Sequence, residues 1–208
     1  MKTIDLNNWN RKEHYQFFKT FDEPFFSFVA NVDCAALYRL AKATNTSFFA
    51  RYLHCSLLAA NATEAFRLRI VDDTVVLFDH IHASSTIGRA DATFGFSFIP
   101  FSADFALFSQ ALRDETEAVK AGSGLRFTSE MARPDVIHYS SIPWIHFTSL
   151  SHPRNWDGRD SVPKITFGKL RQHEAQLLMP VGVHAHHGLM DGYHVGLFFD
   201  MFQQLINR

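Results

Sequence analysis

No apolar run in this 208-residue sequence is long enough to span a bilayer. The first residues, Met1-Lys2-Thr3-Ile4-Asp5, carry no apolar leader. A soluble, cytoplasmic protein is therefore expected. Only two cysteines occur, Cys34 and Cys55, both in helix-like apolar stretches. That is too few for a disulfide scaffold, and buried free thiols in a reducing setting are the expectation. Neither sign of charge dominates: 20 Lys and Arg stand against 21 Asp and Glu, for a net charge of -1. The electrostatic case for nucleic acid or for an anionic membrane surface is absent with it. Repeats, low-complexity tracts and linker-like segments are also missing, so residues 1–208 read as one domain. His-Glu-x-x-His does not occur, and no cysteine pair lies near the histidines, which argues against a zinc centre.

What is plentiful is phenylalanine, 22 residues of it, in a chain that is 47% apolar and 20% charged. The balance is that of a globular protein; the rings imply a core or pockets lined with aromatics. A first helix opens near Asn10, with Glu13 completing a capping-box-like pair. Phe25 to Val32 reads as a strand, and Asp33 is placed to cap a helix over Cys34–Lys42. A helix follows from about Ser47 to Ala60. Phe66–Val71 and Thr74–Phe78 flank Asp72-Asp73 as a hairpin. Phe94–Phe98 alternates as a strand, and Ala103–Lys120 is a long amphipathic helix before a flexible Ala121-Gly122-Ser123-Gly124. Val136–Ser141 is strand-like, Ile145–Leu150 reads as extended, Ser151–Asp160 as a polar loop, and Lys164–His173 and Leu177–His187 as the last strands. Helices and strands mixed throughout imply a layered α/β domain; their order does not follow from the sequence.

The chemistry concentrates in Val183-His184-Ala185-His186-His187-Gly188-Leu189-Met190-Asp191-Gly192. Upstream, apolar residues fall at the odd positions Leu177, Met179, Val181, Val183 and Ala185. Strand side chains alternate faces, so His187 continues that row while His184 and His186 lie opposite. Beyond the loop, Val195, Phe198, Phe199, Phe202 and Ile206 recur at helical spacing, and Asp191 stands where a carboxylate caps that helix. An imidazole at a strand end can act as a general base, an effect of roughly 10²–10⁴-fold in rate. Ser140, Ser141 and Thr148, near another strand end, are candidate donors to an oxyanion. The plainer readings are a structural role for His184 and His186, a cap alone for Asp191, and a local hydroxyl bond for Ser140. A metal chelated by His184 and His186, with His194 and Asp191 close in sequence, is a weaker alternative, because the third ligand would have to be guessed.

Three segments, in order and at matching distances, resemble the chloramphenicol acetyltransferase family of CoA-dependent acyltransferases, to which the catalytic cores of 2-oxoacid dehydrogenase acyltransferases are related. They are Trp9-Asn10-Arg11-Lys12-Glu13-His14, Ser140-Ser141-Ile142-Pro143-Trp144-Ile145-His146-Phe147-Thr148-Ser149, and the His186-His187-x-x-x-Asp191-Gly192 motif. The resemblance covers nearly the whole chain. It implies a two-layer α/β sandwich with a mixed sheet. It also implies a homotrimer with active sites between subunits, and direct transfer of acetyl from acetyl-CoA to a hydroxyl of a small acceptor. His187 matches the general base, Ser140 the donor to the oxyanion, and Thr166 a residue that helps stabilise the intermediate. Asp191 and Arg11 match a structural ion pair. Lys169 and Leu170 fall on the CoA side, Leu170 where an aromatic residue is common. Phe17, Phe18 and Phe94 keep the aromatic character of the acceptor pocket. Asp22, Phe96, His152, Arg154 and Lys164 depart from it, and a pairing of Asp22 with Arg154 or Lys164 would offset the cost of buried charge. These departures leave open a more polar hydroxyl or amine acceptor. A catalytically silent homologue is a further alternative, against which the joint presence of His187, Asp191, Arg11 and Ser140 argues. No lipoyl or subunit-binding segment precedes the core, so a dehydrogenase-complex acyltransferase is not expected.

Overall fold

The computed structural model describes residues 1–154 and 160–208. In chain order the elements are β1 (Lys2–Thr3), α1 (Lys12–Phe18), β2 (Phe25–Asp33), α2 (Ala35–Ala43), α3 (Phe48–Ala62), β3 (Leu68–Val71), β4 (Thr74–Leu77), β5 (His82–Gly88), β6 (Phe94–Ile99), α4 (Phe105–Ala121), β7 (Val136–Ile142), β8 (Lys164–Gly168), β9 (Arg171–His173), β10 (Gln176–His186) and α5 (Gly192–Ile206). Single 3-10 turns at Glu64–Arg67 and Ser129–Ala132 precede β3 and β7. The main sheet runs β2-β10-β8-β7-β5-β6, with β9 also on β10. The β7 pairings with β5 and β8 are parallel, and the other pairings in this sheet are antiparallel, so the sheet is mixed. A small sheet, β1-β4-β3, stands beside it.

Tyr15 of α1 packs with the small sheet, while helices α2 to α5 cover one face of the main sheet. Met179, Val181, Val183 and Ala185 of β10 are buried there with Ile165 and Phe167 of β8, Ile137 and Tyr139 of β7, and Phe198 and Phe202 of α5. Each fully buried large apolar side chain contributes roughly 1.5–3 kcal/mol. A one-residue slip of β10 would replace Val181 and Val183 by Gly182 and His184 on this face, so the register is strongly specified. That register places the motif loop at the end of β10. The layered α/β expectation and the odd-position alternation agree with this arrangement.

Local signals held unevenly. The Asp72-Asp73 hairpin is present, with φ of 47 and 58 degrees at the two turn residues, the left-handed pair that a two-residue hairpin loop requires. Asp33 accepts from the first amide of α2, Ala35 N at 3.0 Å, and also from Leu177 N at 3.0 Å. Ser47 and Asp104 cap α3 and α4. Asn10 does not cap α1: Arg11 occupies that position and makes no side-chain cap bond, because its guanidinium is engaged elsewhere. The expected strand Lys164–His173 is two strands, broken where Lys169 N donates to Ile145 O at 2.8 Å instead of joining a ladder. Ile145–Leu150 forms no strand; Pro143-Trp144 is a turn closed by Ile145 N on Ile142 O. Cys34 and Cys55 are buried and free. Among the described residues no helix is long and apolar enough to cross a membrane.

Candidate active site

β10 ends at His186, and its neighbour β2 receives the next residue: His187 N donates to Pro24 O at 2.8 Å. Leu189 N and Met190 N both turn back onto His186 O, and Gly188 N donates to His186 Nδ1 at 3.1 Å. A Cβ at Gly188 would lie 3.1 Å from that ring and 3.2 Å from the Tyr15 backbone, so a side chain there would have to push its neighbours aside by a few tenths of an ångström. His186 thus has a structural duty: as an acceptor it must stay neutral, and burial pushes its pKa down to about 4. The His187 ring lies flat on Phe18, with centroids 4.1 Å apart and planes 4° from parallel. Phe26 tilts against it at 4.7 Å. Phe17 packs edge-on against Phe18 and is exposed.

Arg11 ties this loop together. Its Nη1 donates to Asp191 Oδ2 at 2.6 Å and its Nη2 to His187 O at 3.1 Å. The other Asp191 oxygen accepts from Tyr193 N at 3.0 Å and lies 2.9 Å from His194 Nδ1, so the predicted cap of α5 is real. His194, one of the residues considered as a metal ligand, is engaged in this cap. Burial works to raise the Asp191 pKa, but the bonds from Arg11 and His194 outweigh it and hold the carboxyl at about 2. The folded value lies below the ordinary value of about 4. The pair therefore stabilises the fold fully above pH 4, and that contribution is lost as pH falls from about 4 to about 2. Asp191→Asn is expected to melt below the unaltered protein at pH 7 and to turn over more slowly, with the melting gap closing through that window. Thermal melts along a pH series check this, and a gap independent of pH would contradict it.

The second group of candidates lies on the open face of the sheet. Ser140, Phe94, Phe96, His152, Arg154 and Lys164 line one cleft of about 730 Å³, with Thr86, Phe127, His138 and Asp160. Ser140 and Thr166 are register partners on β7 and β8. Thr86 Oγ1 lies 3.5 Å from Ser140 Oγ. Thr166 is fully buried, and its Oγ1 is 2.9 Å from His152 Nε2. Ser141 points to the other face, where it meets the Tyr52 hydroxyl at 3.0 Å, and Thr148 is exposed.

Asp22 is exposed, and the pairing proposed for it is not made. Its neighbour Glu23 takes Arg154, and Asp160 takes Lys164 Nζ at 2.5 Å. Both cations also lie over the Phe25 ring, Arg154 at 4.2 Å and Lys164 at 5.0 Å. Burial lowers the Lys164 pKa while Asp160 opposes the shift. The charge within the cleft is thus compensated pairwise. His138 and His184 are pushed down to about 4, chiefly by burial, with Lys164 adding to it for both. Lys169 and Leu170 form the break between β8 and β9. The Lys169 carbonyl accepts from His146 Nδ1 at 2.9 Å, and Leu170 packs against the core. Glu23, Phe25, Thr86, His138 and Asp160 were not among the expected site residues. His138 was within reach, two residues before Ser140 on the same strand face, as was Asp160, four before Lys164.

A mixed sheet with helices on one face is the fold of solved acetyltransferases. A probable dihydrolipoamide acetyltransferase from Listeria monocytogenes shares the fold, with a TM-score of 0.68 at 12% identity over 99% of this chain and 94% of that one. Within that class the chain belongs to the chloramphenicol acetyltransferase family, whose model matches residues 1–203. A solved chloramphenicol acetyltransferase superposes with a TM-score of 0.92 at 32% identity, covering 99% of both chains. The chloramphenicol acetyltransferase of Bacillus pumilus is 29% identical over 208 residues, all of this chain and 94% of its own. Chloramphenicol acetyltransferase 3 of Escherichia coli is 27% identical, over 98% and 96% respectively.

Proposed function

We propose that the chain is a chloramphenicol O-acetyltransferase that uses acetyl-CoA as its acetyl donor and works as a cytoplasmic homotrimer. The observation that carries this reading is family membership along the chain, together with a His187 loop clamped by Arg11 and Asp191. His187 takes the proton of the acceptor hydroxyl as its oxygen attacks the thioester carbonyl. Ser140 donates a hydrogen bond to the resulting oxyanion. Collapse of the tetrahedral species breaks the C–S bond, and the CoA thiolate takes the proton from the imidazolium. No acyl-enzyme forms. Thr166 supports the site indirectly, through its bond to the His152 ring beside Ser140, while Arg11 and Asp191 hold the loop and Lys169 and Leu170 flank the CoA side. Phe17 and Phe18 lie on the acceptor's path to His187, with Asp22 at the exposed end of the same segment.

Distance supports a site shared between subunits. Ser140 is level with Thr166, and Thr166 with Gly182 of β10, five residues before His187. At ~3.3 Å per residue and ~4.8 Å per strand, Ser140 and His187 of one chain are roughly 19 Å apart. They meet one acceptor only if the cleft of one subunit faces the His187 loop of another. Exposed Phe17, Phe21, Phe28, Phe94 and Phe127 support the same view, since such rings are usually covered. Residues 1–208 act as one domain, with a single large core shared by helices and sheet. Buried free Cys34 and Cys55 suit a reducing compartment.

A second reading, transfer to a more polar hydroxyl or amine, is favoured by the Lys164–Asp160 pair and Arg154 in the cleft. Thiol release from acetyl-CoA, followed with chloramphenicol and with a panel of small alcohols and amines, tests both. Saturable turnover of chloramphenicol and a solution mass about three times the 23.8 kDa chain are expected. Turnover confined to other acceptors would move the assignment to the second reading. A monomer with full activity would refute the shared site.

A further inference from the structure

The Thr166 hydroxyl is shut off from the cleft. The residue has no exposure, and the ring above it belongs to His152, bonded through Nε2 at 2.9 Å. His152 itself lines the cleft beside Ser140. The ring is fixed from two sides, by Thr166 and by His184, which meets it edge-on with centroids 4.5 Å apart. Its remaining nitrogen, Nδ1, is buried and has no hydrogen-bond partner among the described residues. Leaving such a nitrogen unpaired is costly, and a bound polar group removes the cost.

We infer that His152, oriented by Thr166, is the group this cleft presents to the acceptor beside Ser140, and that it selects acceptors with a neutral hydroxyl or amide next to the reacting hydroxyl. The inference rests on the functional reading above. One nitrogen is committed to Thr166, so the other offers a single hydrogen-bonding position. It is a donor if the threonine hydroxyl donates to Nε2 and an acceptor if the hydroxyl accepts; a hydroxyl or an amide satisfies either case. A charged acceptor is not selected, because Lys164 and Arg154 are already paired with Asp160 and Glu23.

The test compares chloramphenicol with 3-phenylpropan-1-ol, which keeps an aryl ring and a primary hydroxyl on a three-carbon chain but lacks the amide and the second hydroxyl. The unaltered enzyme should prefer chloramphenicol by at least about 100-fold in kcat/KM, because a site built to bond a polar group rejects the analogue that lacks it. His152→Leu should reduce that preference at least about tenfold with the KM for acetyl-CoA unchanged. Thr166→Val, which leaves the ring in place but untethered, should give a smaller loss of the same kind. The double variant should be no worse than His152→Leu, because the two residues act as a unit. His152→Gln should restore part of the preference. Full preference in a folded His152→Leu enzyme, or additive losses in the double variant, would overturn the inference while leaving the functional reading standing. An unaltered enzyme that binds acetyl-CoA yet turns over neither alcohol would remove the functional reading and this inference with it.

Discussion

Replacing His187 with alanine is expected to lower kcat by about 10²–10⁴-fold, the usual worth of a positioned general base, with the fold and the assembly retained. The two effects separate because the structural contacts of this residue are made by its backbone. The amide of His187 bonds Pro24 O, and its carbonyl accepts from Arg11; alanine keeps both. The imidazole only stacks on Phe18 and tilts against Phe26. Losing such a ring pair costs about 1 kcal/mol, or a fall of roughly 2–4 °C in Tm for a chain of this size. Thiol-release kinetics at saturating acetyl-CoA and acceptor, with a melting curve on the same preparation, make the comparison. A kcat within about threefold of the unaltered enzyme would remove His187 from the role of base, since even a weak general base is worth about 100-fold. A large fall in Tm would mean that the ring holds the loop.

The elements that announced themselves in the sequence are those whose rule is local. The period-two row from Met179 to Ala185 and the helical row from Val195 to Ile206 each describe one face of one element, and both faces are buried as read. Asp191 was legible as a cap for the same reason. Asn10 shows where that logic fails. Its pairing with Glu13 was plausible locally, but the helix start is set by Arg11 reaching 180 residues along the chain to Asp191. β5 was missed because its sequence, His-Ala-Ser-Ser-Thr-Ile-Gly, hides buried positions behind hydroxyls: Ser84 and Ser85 are both buried. In the site, the sequence motifs marked Ser140 and His187 but carried no information on the separation that strand order imposes. The partners of Lys164 and Arg154 were misplaced for a related reason. Asp22 and Glu23 are equally acidic, and only the path of the chain before β2 decides that Glu23 faces Arg154 while Asp22 faces outward.

The largest expected loss of stability comes from a residue outside the chemistry. Arg69, in the middle of β3, is fully buried. Burial draws its pKa down to about 9 while Asp135 and Asp160 push it back up, so the side chain is still charged at neutral pH. Its guanidinium donates to four carbonyls: Pro134 at 2.7 Å, Phe66 at 2.9 Å, Leu68 at 2.6 Å and Val136 at 2.5 Å. Two of these belong to the approach to the small sheet and two to the entry of β7, the strand that carries Ser140. Arg69 therefore fastens the hairpin to the sheet through backbone groups that have no water to turn to. Arg69→Met keeps the bulk of the stem and removes every donor. An orphaned buried carbonyl costs about 1–3 kcal/mol. Water entering the vacated space relieves part of that, which leaves a net destabilisation of about 3–5 kcal/mol and a Tm lower by roughly 6–20 °C. Arg69→Lys should recover less than half of the loss, because three donors on one atom cannot match four acceptors held in a planar fork. Denaturant and thermal unfolding of the three proteins decide the matter. A methionine variant that melts within 2 °C of the unaltered protein, inside what about 1 kcal/mol would produce, would show that the four carbonyls find other partners and that the staple is not needed.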